Sequence, residues 1–224
     1  MGAVALRITS PVHGTTTTTG AVQLHAQVDQ PPAIPLYYYW YSSLNVPADL
    51  THTALNPTST LDFPATLEVG THVLTLSARD VDGDDPANVR LVTAGGVAGG
   101  PAGSPSPCVI TVFKATLLAP ASGATLSKAD TTLTVRAPSA WARQDYQAIN
   151  RVAYTFMFTG ANHTVTPFAP TTLAFQDGPP PTLTYRGPLP AILPAGQYTL
   201  TLRAHDIDQP TGGESGPIPV TVTA

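Results

Sequence analysis

The segment Gly70-Thr71-His72-Val73-Leu74-Thr75-Leu76-Ser77-Ala78-Arg79-Asp80-Val81-Asp82 returns 126 positions later as Gly196-Gln197-Tyr198-Thr199-Leu200-Thr201-Leu202-Arg203-Ala204-His205-Asp206-Ile207-Asp208, with seven positions identical. Its apolar residues keep their parity: Leu74, Leu76 and Ala78 in one copy, Leu200, Leu202 and Ala204 in the other. A period of two with one apolar side is the pattern of a half-buried strand. Self-similarity over this length constrains architecture before any motif does, and it points to a duplicated β unit. The 224 residues then divide into two halves of about 110, each large enough to bury its own core.

Composition agrees. The chain holds 24 prolines and 18 glycines, threonine is frequent, and long Leu/Glu/Lys/Ala runs are missing, as in all-β proteins with many turns. Ten basic and 14 acidic residues give a net charge of -4, so no basic field exists for nucleic acid or an anionic membrane. The single Cys108 excludes an internal disulfide and any cysteine-based metal cluster. Met1-Gly2-Ala3-Val4-Ala5-Leu6-Arg7-Ile8 lacks the features of a signal peptide, and no run of 18 apolar residues predicts membrane insertion. The expectation is a piece of a longer extracellular or cell-surface chain, or a component of a virion-like assembly.

The halves can be aligned throughout. Leu6-Arg7-Ile8-Thr9-Ser10-Pro11 matches Thr116-Leu117-Leu118-Ala119-Pro120, each reading as an edge strand stopped by proline. Val22 to Val28 and Thr132 to Ala137 alternate as second strands. The third is aromatic: Tyr37-Tyr38-Tyr39-Trp40-Tyr41-Ser42 against Ala153-Tyr154-Thr155-Phe156-Met157-Phe158. Superposing Tyr38 on Tyr154 puts Trp40 on Phe156 and sends that parity inward. Cys108 to Phe113 and Ile218 to Thr223 close the repeats. Only Lys114 and Ala115 separate Phe113 from Thr116, which predicts two domains, 1-114 and 115-224, joined end to end by a very short linker. The first carries a long Gly/Pro-rich loop, Gly83 to Pro107. The second carries an insertion from Ser139 to Ile149 that reads as a short helix capped by Ser139 and packed by Trp141 or Tyr146.

The aromatic third strand, the Gly-x-Tyr/His-x-Leu-x-Leu-x-Ala-x-Asp strand and the final Val-x-Val strand resemble bacterial immunoglobulin-like and polycystic-kidney-disease-type (PKD) β-sandwich domains in tandem. The resemblance covers essentially the whole chain twice and implies two antiparallel immunoglobulin-like sandwiches. It places Tyr198, two residues after Gly196, as the corner tyrosine whose hydroxyl ties strand to loop, with His72 in its place in the first half. The Trp-Asp-Phe-Gly-Asp-Gly turn of PKD domains is missing, and Leu74 and Leu200 stand where antibody-type domains carry a cysteine.

Two groups of residues suggest a site. Asp80-Val81-Asp82-Gly83-Asp84-Asp85 spaces carboxylates around a glycine turn, and calcium takes six to eight such oxygens, so Asp80, Asp82 and Asp84 are the candidate ligands. A solvated turn uses the same residue types. Tyr37, Tyr39 and Tyr41 fall on the outward parity, about 6.7 Å apart along the strand, and suit either a protein interface or stacking on a sugar chain. The alternative is that the chain's own loops cover them. Catalysis has no motif behind it: the six histidines are scattered, with no zinc-protease pair, nucleophile elbow or phosphate-cradling loop. No cofactor is expected, with calcium the exception to test. The expected function is a non-enzymatic structural or adhesive module working through protein contacts or self-assembly. The alternative is a carbohydrate- or substrate-binding accessory module of a larger secreted enzyme.

Overall fold

A computed structural model describes residues 6–28, 36–44, 49–55, 60–79, 91–94, 96–97, 108–138, 140–141, 150–208 and 212–224. Backbone alone is described at 6, 28, 36–39, 49–55, 60, 77–79, 91–94 and 96–97. The chain forms two compact units, Met1–Thr16 with Gly20–Val112, and Thr17–Thr19 with Phe113–Ala224.

The second unit gives the plan most fully. Its strands are β11 (Leu117–Ala119), β12 (Ala124–Ser127), β13 (Thr131–Arg136), β14 (Val152–Gly160), β15 (Val165–Phe168), β16 (Ala174–Gln176), β17 (Thr182–Gly187), β18 (Gly196–Asp206), β19 (Gly212–Glu214) and β20 (Ile218–Thr223). One sheet runs β11-β13-β17-β16; the other runs β12-β20-β18-β14-β15, with β19 also on β18. In immunoglobulin lettering these are A-B-E-D, and G-F-C widened by a second part of A and by C′. The fold is therefore an all-β immunoglobulin-like sandwich.

The first unit repeats it with β1 (Leu6–Ser10), β2 (Thr15–Thr17), β3 (Ala21–Val28), β4 (Leu36–Ser42), β5 (Asp49–Leu55), β6 (Thr60–Thr66), β7 (Gly70–Arg79), β8 (Leu91–Ala94), β9 (Gly96–Val97) and β10 (Cys108–Val112). Its sheets are β6-β3-β1-β9 and β2-β10-β7-β4-β5, with β8 on β7.

The proline that stops each opening strand marks a change of sheet. After Pro11 and Pro120 the chain turns through Gly14 and Gly123, at φ 83° and 80°, where a side chain would be strained. It then joins the opposite sheet as β2 or β12. The latter lies parallel to β20, with Ala124 opposite Val220, so the sandwich is not purely antiparallel. In the first unit β1 is also not an edge, because β9 pairs with it in parallel through Arg7 and Ile8. The stretch expected to be one long loop thus contributes two strands to different sheets.

Register confirms the alignment of the repeats. Tyr38, Trp40 and Ser42 stand opposite Ala78, Leu76 and Leu74; Tyr154, Phe156 and Phe158 stand opposite Ala204, Leu202 and Leu200. Leu24, Trp40, Leu74, Leu76, Leu133, Tyr154, Phe156, Leu200 and Leu202 are all buried, as parity requires. Each fully buried residue of this size contributes about 1.5–3 kcal/mol by leaving water. Of the expected core the Tyr38 and Ala78 side chains lie outside the described ones. The expected helix also falls largely outside them; Ala140 is buried, and Trp141 closes a turn by donating its amide to the Pro138 carbonyl at 3.0 Å.

Tyr154 supplies a test of the core's polarity balance. Among the described residues its buried hydroxyl has no hydrogen-bond partner, and burial raises its pKa above the usual tyrosine range. An unmatched buried hydroxyl costs about 1–3 kcal/mol. Tyr154→Phe is therefore expected to raise stability by about 1 kcal/mol, read from urea midpoints at constant slope; a loss of that size would reveal a partner for the hydroxyl.

Candidate functional site

The outer surface of the β4-containing sheet is the candidate. β4 lies inside its sheet, between β5 and β7, so it presents a broad face instead of an edge. Trp40 and Ser42 are buried and Tyr41 is half-buried. The pleat puts positions 37, 39 and 41 in one row on the parity opposite Trp40. Register sets Tyr37 opposite Arg79, Tyr39 opposite Ser77 and Tyr41 opposite Thr75 on β7. On the other side Tyr37 meets Ala54, Tyr39 meets His52 and Tyr41 meets Asp49 of β5. The Tyr37 and Tyr39 side chains themselves lie outside the described ones.

The glycine-rich stretch Ala94 to Pro105 is expected beside this row, and most of it lies outside the described residues. Leu91–Ala94 pairs with β7 at Ser77 to Arg79, one strand away, and Gly96–Val97 joins the other sheet. Residues 98–107 lie outside the described ones.

In the second unit the same face has different chemistry. Ala153, Thr155 and Met157 replace the tyrosines. Thr155 donates its hydroxyl to His205 Nε2 at 2.9 Å, because His205 Nδ1 uses its proton on the Asp206 carbonyl at 2.7 Å. Beside it Arg203 holds Glu214, with Nε to Oε1 at 2.8 Å. Glu214 ends the strand β19.

The repeated Asp-x-Asp can be followed in this unit alone, since Asp80, Asp82 and Asp84 lie outside the described residues. Arg151 grips Asp206 with both arms, at 2.9 and 2.7 Å, and reaches Asp208 at 2.9 Å. These hydrogen bonds hold the Asp206 carboxyl below the usual carboxylate range and raise the Arg151 pKa. A forked guanidinium already serves the carboxylates that a cation would need. Among the described residues no group of three or more metal-ligating side chains occurs.

The two corners differ as the sequence implies. Tyr198 donates its hydroxyl to the Pro194 carbonyl, four residues back, at 2.9 Å. His72 makes the equivalent bond from Nε2 to the Glu68 carbonyl, also four back, at 2.8 Å. That bond fixes the tautomer, so Nδ1 accepts from the Ser42 hydroxyl at 2.7 Å. His72 is fully buried, and desolvation depresses its pKa to about 4 despite the carbonyl bond, which acts the other way. Sequence reasoning found His72 but not its partner: Ser42 occupies the position of Phe158, and only the alignment of both strands together signals the pair. Tyr198→Phe, removing one such bond, is expected to cost about 1 kcal/mol, measured by urea unfolding.

An open cleft of about 780 Å³ adjoins Tyr198, between the β14–β15 turn and the approach to β18, with Asn162, Val165, Ile192 and Gln197 among its walls. It holds no cluster of acids, bases or nucleophiles. Among the described residues no helix is long and apolar enough to cross a membrane.

Strand order and register thus define a protein of the immunoglobulin-like β-sandwich class. Among solved structures the chain is similar to a marsupial T cell receptor, at 10% identity and a TM-score of 0.33 over 98% of this chain and 73% of that one. It is also similar to titin Ig tandem domains, at 12% identity and a TM-score of 0.36 over 98% of this chain and 95% of the other. No protein-family model matches the sequence, and no curated protein does.

Proposed function

We propose that this chain is a non-catalytic interaction module that binds a protein partner through the outer face of β4. Immunoglobulin-like sandwiches commonly serve as protein-contact modules, and a site must still be argued from its own residues. The observation that carries the reading is the difference between the repeats at one register. Both bury the same parity of the third strand, but the opposite parity is Ala153, Thr155 and Met157 in one unit and Tyr37, Tyr39 and Tyr41 in the other. Core packing accounts for what the units share and leaves the tyrosine row unexplained. Tyrosine is enriched at interfaces because it offers a large apolar area, a hydroxyl and little rotamer entropy to lose. The flanking register positions Arg79, His52 and Asp49 add the polar rim such interfaces carry. In the second unit Thr155 pairs with His205, Arg203 with Glu214 and Arg151 with Asp206, which supports a scaffold role for that unit.

The test is a Tyr39→Ala/Tyr41→Ala double variant compared with the parent chain. Sedimentation velocity reads self-association, and a polysaccharide panel reads glycan binding. Loss of self-association with an unchanged melt supports the reading; truncating central interface aromatics commonly costs about 2 kcal/mol or more of binding. Selective loss of glycan binding would reassign the face to carbohydrate, and unchanged self-association of a parent that does associate would remove the row from the interface.

A further inference from the structure

The two repeats solve one structural position in two ways. Where the third strand ends beside the corner, the second unit places Phe158 against Tyr198, rings edge to face with centroids 6.1 Å apart. The first places Ser42 against His72, joined by a 2.7 Å hydrogen bond. Both members of the pair have changed together, and the change converts an apolar contact into a titratable one. We propose that the Ser42–His72–Glu68 chain is an acid-sensitive clasp that releases the end of β4, and with it the contact face of the first unit, when His72 takes up a proton.

The neutral ring suits its surroundings fully: Nε2–H donates to the Glu68 carbonyl and Nδ1 accepts from Ser42. A second proton makes both nitrogens donors, forces the Ser42 hydroxyl to turn round, and places a charge in the core. Ser42 Oγ also receives the Leu44 amide at 3.3 Å, so the disturbance reaches the segment following β4. Burial and the Glu68 carbonyl are the influences on the ring, and neither is a compensating charge. On β10, Ile110 stands opposite His72, and Cys108 lies one step along the same face; burial pushes that thiol up to about 11, which keeps it neutral in acid. Glu68, the nearest carboxylate in sequence, presents its carbonyl to the ring. Thr71 and Thr111 pair with each other at 3.2 Å.

The sign follows from linkage. The folded pKa lies below the ordinary histidine value, so above about pH 6.5 both folded and unfolded chains are neutral there and nothing is lost. Between about 6.5 and 4 the unfolded chain takes up a proton that the folded chain refuses, and the folded state loses ground as pH falls. Across that window the folded-to-unfolded ratio of the first unit drops by about 300-fold. The second unit has no imidazole at this corner, where Tyr198 bonds the Pro194 carbonyl, so it lacks this component. The consequence for binding rests on the interaction reading of the β4 face; the clasp does not.

The experiment is hydrogen exchange with mass readout on the full chain between pH 7.5 and 4.5, corrected for intrinsic rates and without any partner, together with the NMR titration of His72. Peptides spanning β4 and β7 are expected to lose protection on acidification while those spanning β14 and β18 keep theirs, with His72 still neutral at pH 5.5. A Ser42→Phe/His72→Tyr variant, which imports the pair of the second unit, is expected to abolish the difference. A His72 that titrates near 6.5 in the folded chain, or parallel loss of protection in both units, overturns the proposal. Should the double variant fail to fold, the titration and exchange of the parent still decide. Failure of the tyrosine variants to alter association at pH 7.5 would strike the interaction reading and leave these measurements standing.

Discussion

Replacing Phe156 by alanine is expected to cost about 4 kcal/mol of stability, the upper range for emptying an aromatic site in a core. Phe156 is fully buried in β14, which has a neighbour on each side, and it stands opposite Leu202 on β18 and Phe168 on β15. Its ring lies 6.3 Å from that of Phe168, and Phe168 meets Tyr185 edge to face at 5.0 Å. Since Tyr185 belongs to β17, the three rings link the two sheets. The Tyr185 hydroxyl is in turn anchored on the Pro188 carbonyl at 2.6 Å, so the far end of the chain of rings resists collapse into a vacancy. Strands hydrogen-bonded on both sides cannot close the hole cheaply either. Met157→Ala, one residue along on the opposite, half-buried parity, is expected to cost under about 1 kcal/mol. Urea unfolding followed by circular dichroism separates the two, and comparable losses would mean the faces of β14 are assigned wrongly.

What could be read from the sequence was whatever a period of two or a duplication repeats. Leu200 and Leu202, Tyr154 and Phe156 declare their face by alternation, and the first repeat confirms it independently. Tyr198 was legible through the resemblance to immunoglobulin-like domains, which places a corner tyrosine there, and its hydroxyl is bonded to Pro194 within the same corner. Non-local pairing was not legible. Gly212–Glu214 is too short and too glycine-rich to announce a strand, and it exists because Arg203 and Glu214 face each other across the ladder. Gly96–Val97 is a strand only because β1 leaves an edge open to it. The change of sheet after Pro11 and Pro120 was visible as a break but not as a crossing, since proline ends one ladder without saying where the chain goes next. For the candidate site, the alignment isolated the tyrosine row, whereas its flanking residues on β5 and β7 follow from register alone.

Trp40 gives the sharpest test that the duplication extends to packing. Trp40→Ala is expected to cost about 4 kcal/mol, for the reasons that apply at Phe156, since Trp40 is 2% exposed and faces Leu76 across the sheet. Trp40→Phe should behave differently. The residues two along on the same face are Ser42 in the first unit and Phe158 in the second, so the first unit pairs a large indole with a small hydroxyl and the second pairs two phenyl rings. The larger indole offsets only part of the volume that Ser42 gives up relative to Phe158, and cores tolerate exchange best when volume is kept. Trp40→Phe alone therefore imports half of the second unit's solution and leaves a modest gap beside Ser42, at an expected cost of about 1–2 kcal/mol. The chain has a second tryptophan, Trp141, so circular dichroism and not total fluorescence is the fair readout in urea. A phenylalanine variant as unstable as the alanine one would mean that the two units share their strand order and register but not the shape of their cores.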